Sequence, residues 1–354
     1  MTRNQAYFNF INSLNSPATK RQYAYCLDQF LTTTKLTIDK FLKLPQNKQT
    51  DIIINYLVTK KVSMALKHVV FHTLKHLCDV NDVLLNWKKI KKFVHPTKTG
   101  NEIVGKDRGY NLEEIRQILD FSDQRAKTIF LILTSTGIRI GALGSLKVGD
   151  LEKVDDLYKI RVYSGDKEQY TTFCTPECAK EIDTYLEFRK RRGETITSES
   201  YLIIKRFSKY LKAGFRGLPF SGESLRALLD TCINNSGLRQ RSDNPFKRKE
   251  IPLLHGFRKW FSSQLVEADL NTEKRWMLEG HNLKANDPAY VRTTEKNLLK
   301  EYYKAVPLLT ISNENRLAFK LEERVQIEKT TMQKMEERMS KFQEEIAKIK
   351  RRKK

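Results

Sequence analysis

The sequence predicts a mainly α-helical protein with one small β-sheet, arranged as a helical N-terminal domain, an α+β domain and a long helical tail. Three observations carry this. Residues 1–95 hold apolar stripes at helical spacing. Tyr158–Tyr163 and Gln169–Phe173 form an alternating, β-rich pair joined by the turn Ser164-Gly165-Asp166. From Ala318 onward, apolar residues recur every three or four positions, as in a coiled coil.

In chain order, Ser16 is a helix N-cap and Pro17 suits the first helical position. Tyr23, Leu27, Phe30 and Leu31 then make an apolar stripe, which leaves Lys20 and Arg21 outside it. A second helix is expected near Thr50–Thr59 and a third from Ser63 to Cys78. The basic cluster Lys88, Lys89, Lys91 and Lys92 closes this domain. It is either a solvated helix end or a phosphate contact, and its place beside a linker favours the second. Residues 96–108 contain glycine and lack periodicity, so they read as that linker.

The α+β domain is expected over residues 109–311. Asn111 with two following acids marks a helix start. Lys127–Ser135 is an apolar helix ended by Thr136-Gly137, with Arg139 directly behind it. After the hairpin, helices are expected at Glu177–Arg191, Gly222–Asn234, His255–Ala268 and Thr272–Glu279. The tail, residues 314–354, carries a 3-4 series through Ala318, Leu321, Val325, Glu328, Met332, Met335, Met339, Phe342, Ile346 and Ile349. A helix apolar only along such a seam pairs with another helix, although methionine specifies partners loosely.

Charge narrows the partner. The net charge is +23 and is unevenly spread. Residues 1–98 hold 16 Lys/Arg against 5 Asp and no Glu, and residues 316–354 hold 13 Lys/Arg against 7 Glu. A basic domain and a basic tail imply a polyanion, most simply nucleic acid. The apolar runs are too short to span a bilayer, and no secretory signal opens the chain, so a cytoplasmic protein without membrane contact is expected. Cys26, Cys78, Cys174, Cys178 and Cys232 form no disulfide framework and suit a reducing compartment. Cys174 and Cys178 have no second ligand pair nearby. His68, His72 and His76 share a helical face without an accompanying acid, so no metal site is expected.

The chemistry concentrates between Leu254 and Tyr290. His255 and Arg258 lie at i and i+3, so a helix points both at one target. His281 follows in a Glu-Gly-His turn, and Tyr290 stands behind Asp287-Pro288. Arg139, in Thr-Gly-Ile-Arg, adds a second arginine. Arginine presents a planar fork of donors that fits phosphate oxygens, and a tyrosine hydroxyl attacks phosphorus only in such an environment.

This ordered set, R…H-x-x-R…G-H…Y, resembles the tyrosine recombinases, the phage-type integrases and Xer-like recombinases, over roughly residues 13–311. The resemblance implies a helical core-binding domain that forms half of a clamp on double-stranded DNA, followed by the catalytic domain. It implies Tyr290 as nucleophile, Arg139 and Arg258 as phosphate ligands, and His255 and His281 as proton-transfer and phosphate-binding groups. It places a catalytic lysine in the β-hairpin, where Gly-Asp-Lys-Glu selects Lys167 and leaves Lys159 in reserve. The acidic residue that usually follows the first arginine is replaced here by Ala142. Cleavage through a 3′-phosphotyrosyl bond needs no cofactor and no metal, and exchange implies a tetramer on DNA. The tail would join subunits or recruit a helper protein. A type IB topoisomerase shares these residue types, and a non-catalytic DNA-binding relative is the remaining rival. Tyr302 and Tyr303 are alternative nucleophiles whose apolar neighbours suggest packing instead.

Overall fold

The computed structural model describes residues 5–94, 107–205, 217–238, 250–281 and 294–352. The chain divides into two compact units, with α-helices dominating both.

The first unit contains α1 (Gln5–Asn12), α2 (Pro17–Thr34), α3 (Ile38–Leu42), α4 (Gln46–Thr59), α5 (Met64–Asp79) and α6 (Trp87–Lys91). Ser16 caps α2 by accepting from the Thr19 amide, and Ser63 caps α5 by accepting from Leu66. The stripe of α2 is buried at Cys26, Leu27 and Phe30, where Phe30 meets Phe41 and Tyr56 edge-on. Two short helices, α3 and α6, and the opening α1 were not foreseen. Each is too short to show a period, and α3 and α6 are set by their caps Thr37 and Asn86. Ile90 of α6 is buried, while Lys88, Lys89, Lys91 and Lys92 around it are exposed. None of these four, nor Lys20 or Arg21, pairs with a carboxylate among the described residues. His76 turns inward, bonded to Ser13 Oγ at 2.9 Å and packed on Phe10 and Tyr23. Among the described residues no group of three or more His, Cys, Asp or Glu side chains is placed to hold a metal ion.

The second unit runs α7 (Leu112–Asp120), α8 (Gln124–Thr136), α9 (Ile140–Leu143), β1 (Leu151–Val154), β2 (Leu157–Val162), β3 (Tyr170–Phe173), α10 (Pro176–Arg191), α11 (Gly222–Asn235), α12 (His255–Glu267), α13 (Thr272–Leu278), α14 (Glu295–Leu309) and α15 (Asn313–Arg352). Asn111 and Glu114 form a reciprocal capping box at α7. α8 is the central helix: every residue from Thr128 to Thr136 is buried. Its polar members cost little there because Thr128, Thr134, Ser135 and Thr136 donate back to carbonyls four residues earlier. α10 and α12 pack on α8 and thereby fix the α12 N-terminus relative to the end of α8.

The sheet is antiparallel in the order β1-β2-β3, with Leu151 opposite Ile160 and Val162 opposite Tyr170. β1 was not foreseen, because Leu-Glu-Lys-Val shows only one period of alternation. Arg189 of α10 is fully buried and forks onto Glu194 at 2.8 and 2.6 Å, so the charge pair is satisfied inside the core. α14 continues through Pro307. The break comes at Thr310–Ser312, after which α15 is one continuous helix of 40 residues. No helix among the described residues is long and apolar enough to cross a membrane.

Candidate active site

Arg258 is the buried centre of the site. It lies in the first turn of α12, is only 8% exposed, and points at the C-terminal ends of two other helices. Its Nη1 donates to the Gly137 carbonyl at 2.7 Å, at the end of α8. Its Nη2 donates to the Glu279 carbonyl, at the end of α13. Carbonyls at helix C-termini lack intrahelical partners and carry the negative end of the helix dipole. A guanidinium between two such ends is held without a paired carboxylate, and its planar fork fixes its orientation.

Two glycines make this clamp. Gly137 adopts φ +60° and caps α8, and a Cβ there would lie 2.2 Å from the Phe261 ring. Gly280 adopts φ +62°, and its Cβ would lie 2.4 Å from the Tyr170 ring. At α13 the Gly280 amide donates to Met277 and the His281 amide to Trp276, the paired bonds of a Schellman turn. That turn throws His281 out of the helix beside the clamp. His281 Nε2 then meets Glu279 Oε2 at 3.0 Å, with the carboxylate buried and the imidazole 46% exposed.

Arg139 follows Gly137 by two residues, in extended conformation at the start of α9. Its side chain is exposed and lines a cavity of about 360 Å³ with Ile138, Arg226, His255 and Arg258. No carboxylate is among the described residues of that lining. Burial and the nearby positive charge of Arg139 both lower the Arg258 pKa. The His255 imidazole, at the first position of α12, is pushed below its ordinary value by partial burial and then by Lys259, Arg258 and Arg139, against a smaller opposing pull from Asp107. It is therefore a neutral proton acceptor at pH 7. Tyr110, stacked on Phe257 and donating to the Leu253 carbonyl at 2.9 Å, steadies this turn.

Of the residues singled out from sequence, Arg139, His255 and Arg258 share the cavity, and His281 lies next to it through Glu279. Lys167 sits in the exposed turn between β2 and β3 and pairs with no carboxylate among the described residues. Lys159 is different: it is tied to Glu152 at 2.7 Å and Glu295 at 2.9 Å, which raise its pKa. Tyr290 lies outside the described residues. Tyr302 is fully buried and donates to the Ser135 carbonyl at 2.7 Å. Tyr303 lies between Asp155 and Asp156, and burial with these acids pushes its pKa up to about 12.

Three contributors were missed. Arg226 of α11 is exposed on the cavity wall and sits in no motif. Tyr170 packs under Gly280, and its buried hydroxyl stands against Arg258 and Arg139, with burial raising its pKa to about 12. Glu279 was passed over as part of a turn; a lone acid closing the helix before Gly-His was the available signal. A larger cavity of about 480 Å³, near Lys147 and Arg161, is not a comparable anion site. There Lys147 is bound to Glu199 at 2.7 Å and Arg161 to the Gly149 carbonyl at 2.8 Å.

A family model described as the phage integrase family matches residues 110–297, more than half of the chain. Among solved structures, the chain is similar to the Tn1549 transposon integrase in complex with transposon right-end DNA, with a TM-score of 0.55 and 15% identity over 85% of this chain and 98% of that one. It is also similar to the XerH site-specific recombinase bound to its difH substrate before cleavage, with a TM-score of 0.51 and 16% identity over 79% and 78% of the two chains. A lambda integrase tetramer bound to a Holliday junction gives a TM-score of 0.50 and 14% identity over 80% and 75%. At these identities the likeness is one of fold. No curated protein matches the chain.

Proposed function

From the premise that this chain belongs to the phage integrase family, whose members cleave and rejoin DNA, we propose that it is a site-specific recombinase acting through a 3′-phosphotyrosyl intermediate. The observation that carries this reading is the cavity in which Arg139, His255 and Arg258 converge with no carboxylate among its described lining residues. Such a cavity attracts an anion, and the clamped fork of Arg258 suits a phosphate.

In this reading the Tyr290 hydroxyl attacks the scissile phosphorus. The bond to the 5′-oxygen breaks, the 5′-hydroxyl leaves, and the protein keeps the 3′-phosphate as a tyrosyl ester. A 5′-hydroxyl from a partner duplex reverses the step. The pentavalent transition state carries more negative charge than the diester, and Arg139 and Arg258 stabilise that excess from fixed positions. Arg226 adds a third positive charge to the wall. Neutral His255 accepts the tyrosine proton, and His281 donates to a phosphate oxygen. Lys167 protonates the leaving oxygen, while Lys159 is committed to its two carboxylates. The fixed cations do the work of charge neutralisation, so the reaction calls for neither a metal nor a nucleotide. The packing of Tyr302 and the acidic setting of Tyr303 support Tyr290 as nucleophile.

The first unit, residues 1–95 in the domain division proposed here, adds DNA contacts through Lys20, Arg21, Lys88, Lys89, Lys91 and Lys92. The catalytic domain spans 109–311. The tail from residue 314 exposes Leu321, Val325, Met332, Met335 and Met339 along one helix, each at least 41% accessible, which supports coiled-coil pairing between subunits of a tetramer on DNA.

Strand exchange between two differently labelled duplexes, with plasmid relaxation measured alongside, tests the reading. Recombinant products support it. Relaxation without exchange would identify a type IB topoisomerase instead, and neither product on DNA that the protein binds would leave a non-catalytic relative.

A further inference from the structure

We propose that Glu279 is the carboxylate that orients His281 toward the scissile phosphate, a positioning residue for the reaction; this rests on the recombinase reading above.

The placement of Glu279 is costly unless it serves a partner. The residue is 5% exposed, so its charge has been taken out of water. It closes α13, where the negative end of the helix dipole disfavours an anion. Its Oε1 is buried and has no partner among the described residues. A leucine would suit the apolar end of this helix without any of these costs. What the carboxylate does reach is functional. Oε2 faces His281 Nε2 at 3.0 Å, and the charge of Glu279 supports the neighbouring guanidinium of Arg258.

Hydrogen-bond inventory then sets what His281 offers. An ionised carboxylate only accepts, so Nε2 must carry the hydrogen that faces it. The remaining ring nitrogen, Nδ1, is the edge left for substrate, on a side chain that is 46% exposed. To donate to a phosphate oxygen, Nδ1 must carry a hydrogen as well. The ring then holds a positive charge, which the Glu279 carboxylate balances. Glu279 thus selects which edge of His281 meets the phosphate. The position three residues after Arg139, where resembling proteins carry an acid, is Ala142, 1% exposed within the apolar core. The acid that meets His281 comes from the turn that carries the histidine itself.

The test is a double-mutant cycle on single-turnover adduct formation with a nicked duplex, using the full chain. Glu279→Gln, Glu279→Leu, His281→Ala and Glu279→Gln/His281→Ala are compared at saturating DNA, with thermal unfolding measured for each. Glu279→Gln and Glu279→Leu are expected to cleave about tenfold or more slowly with DNA affinity unchanged, by analogy with the carboxylates that orient metal-bound histidines. The double variant is expected to be no slower than His281→Ala alone, because both changes remove one unit. Wild-type rates in the Glu279 variants, or losses that multiply in the double variant, would overturn the assignment. If both Glu279 variants unfold, the ring ¹⁵N signals of His281 in the wild type decide it: hydrogen on Nε2 is required, and a bare Nε2 overturns it. No adduct from the wild type would overturn the recombinase reading together with this one. An adduct with Glu279 variants unaffected would overturn this one alone.

Discussion

Replacing Arg258 by lysine keeps the charge and removes the geometry, so it separates the two roles assigned to this residue. The guanidinium bonds Gly137 O and Glu279 O with two different nitrogens, the first at 2.7 Å. An ammonium on a single stem cannot repeat that fork, so one carbonyl at a helix C-terminus is left unbonded in the core. Losing one hydrogen bond to a charged group costs about 1.5–3 kcal/mol of folding stability. The fork is also the group proposed to hold the phosphate oxygens. Removing one preorganised donor from such a site slows the chemical step by about 10²–10³, or roughly 3–4 kcal/mol. Affinity for DNA should change little, since one phosphate contact among many is altered and its charge remains. Chemical denaturation and single-turnover cleavage on the same preparation read both quantities. A lysine variant as stable as the wild type that cleaves within about threefold of its rate would refute the clamp and the phosphate role together.

Other consequences are independent of that residue. Gly137→Ala introduces a Cβ at φ +60° and 2.2 Å from the Phe261 ring, so it should destabilise by at least about 1–3 kcal/mol in equilibrium unfolding. Burial and the neighbouring cations push His255 below its ordinary value, so its base form fills as pH rises through a value under 6.5 and predominates at neutrality. Cleavage should therefore rise with pH on an acid limb below pH 6.5, and a limb shared unchanged by His255→Ala would contradict the assignment. Lys167→Ala should slow cleavage of an ordinary duplex by about 10²–10⁴, yet leave cleavage of a duplex with a 5′-sulfur leaving group near wild type, since a thiolate departs without a proton. Lys159→Ala serves as the comparison, and an equal, sulfur-rescued defect there would transfer the acid role to it.

Much of this architecture is written in local signals. Ser16-Pro17, Ser63 and the Asn111/Glu114 box announce helix starts because a cap satisfies backbone amides that have no other partner. Gly137 and Arg139 were legible as a turn delivering a cation, since only glycine enters that turn easily. The short elements were not legible: α3, α6 and α9 span at most five residues, below one and a half helical turns. Nor could spacing reveal the double clamp on Arg258. Its acceptors are main-chain carbonyls 121 and 21 residues away, and any residue type supplies a carbonyl. Arg226 and Tyr170 reach the site from α11 and β3 only through packing on the core around α8. The absent acid at Ala142 was visible in sequence, but the placement of Glu279 beside His281 required the turn geometry of α13.

The most direct measurement is a trapped intermediate. The wild-type protein and Tyr290→Phe are incubated in EDTA with a nicked duplex carrying the attachment site, and a denaturant-resistant protein–DNA band is sought. The account predicts a band from the wild type and none from Tyr290→Phe, which would establish metal-free tyrosine chemistry at that residue. A band that persists in Tyr290→Phe would contradict the assigned nucleophile. No band at all on DNA that the protein binds would contradict the enzyme.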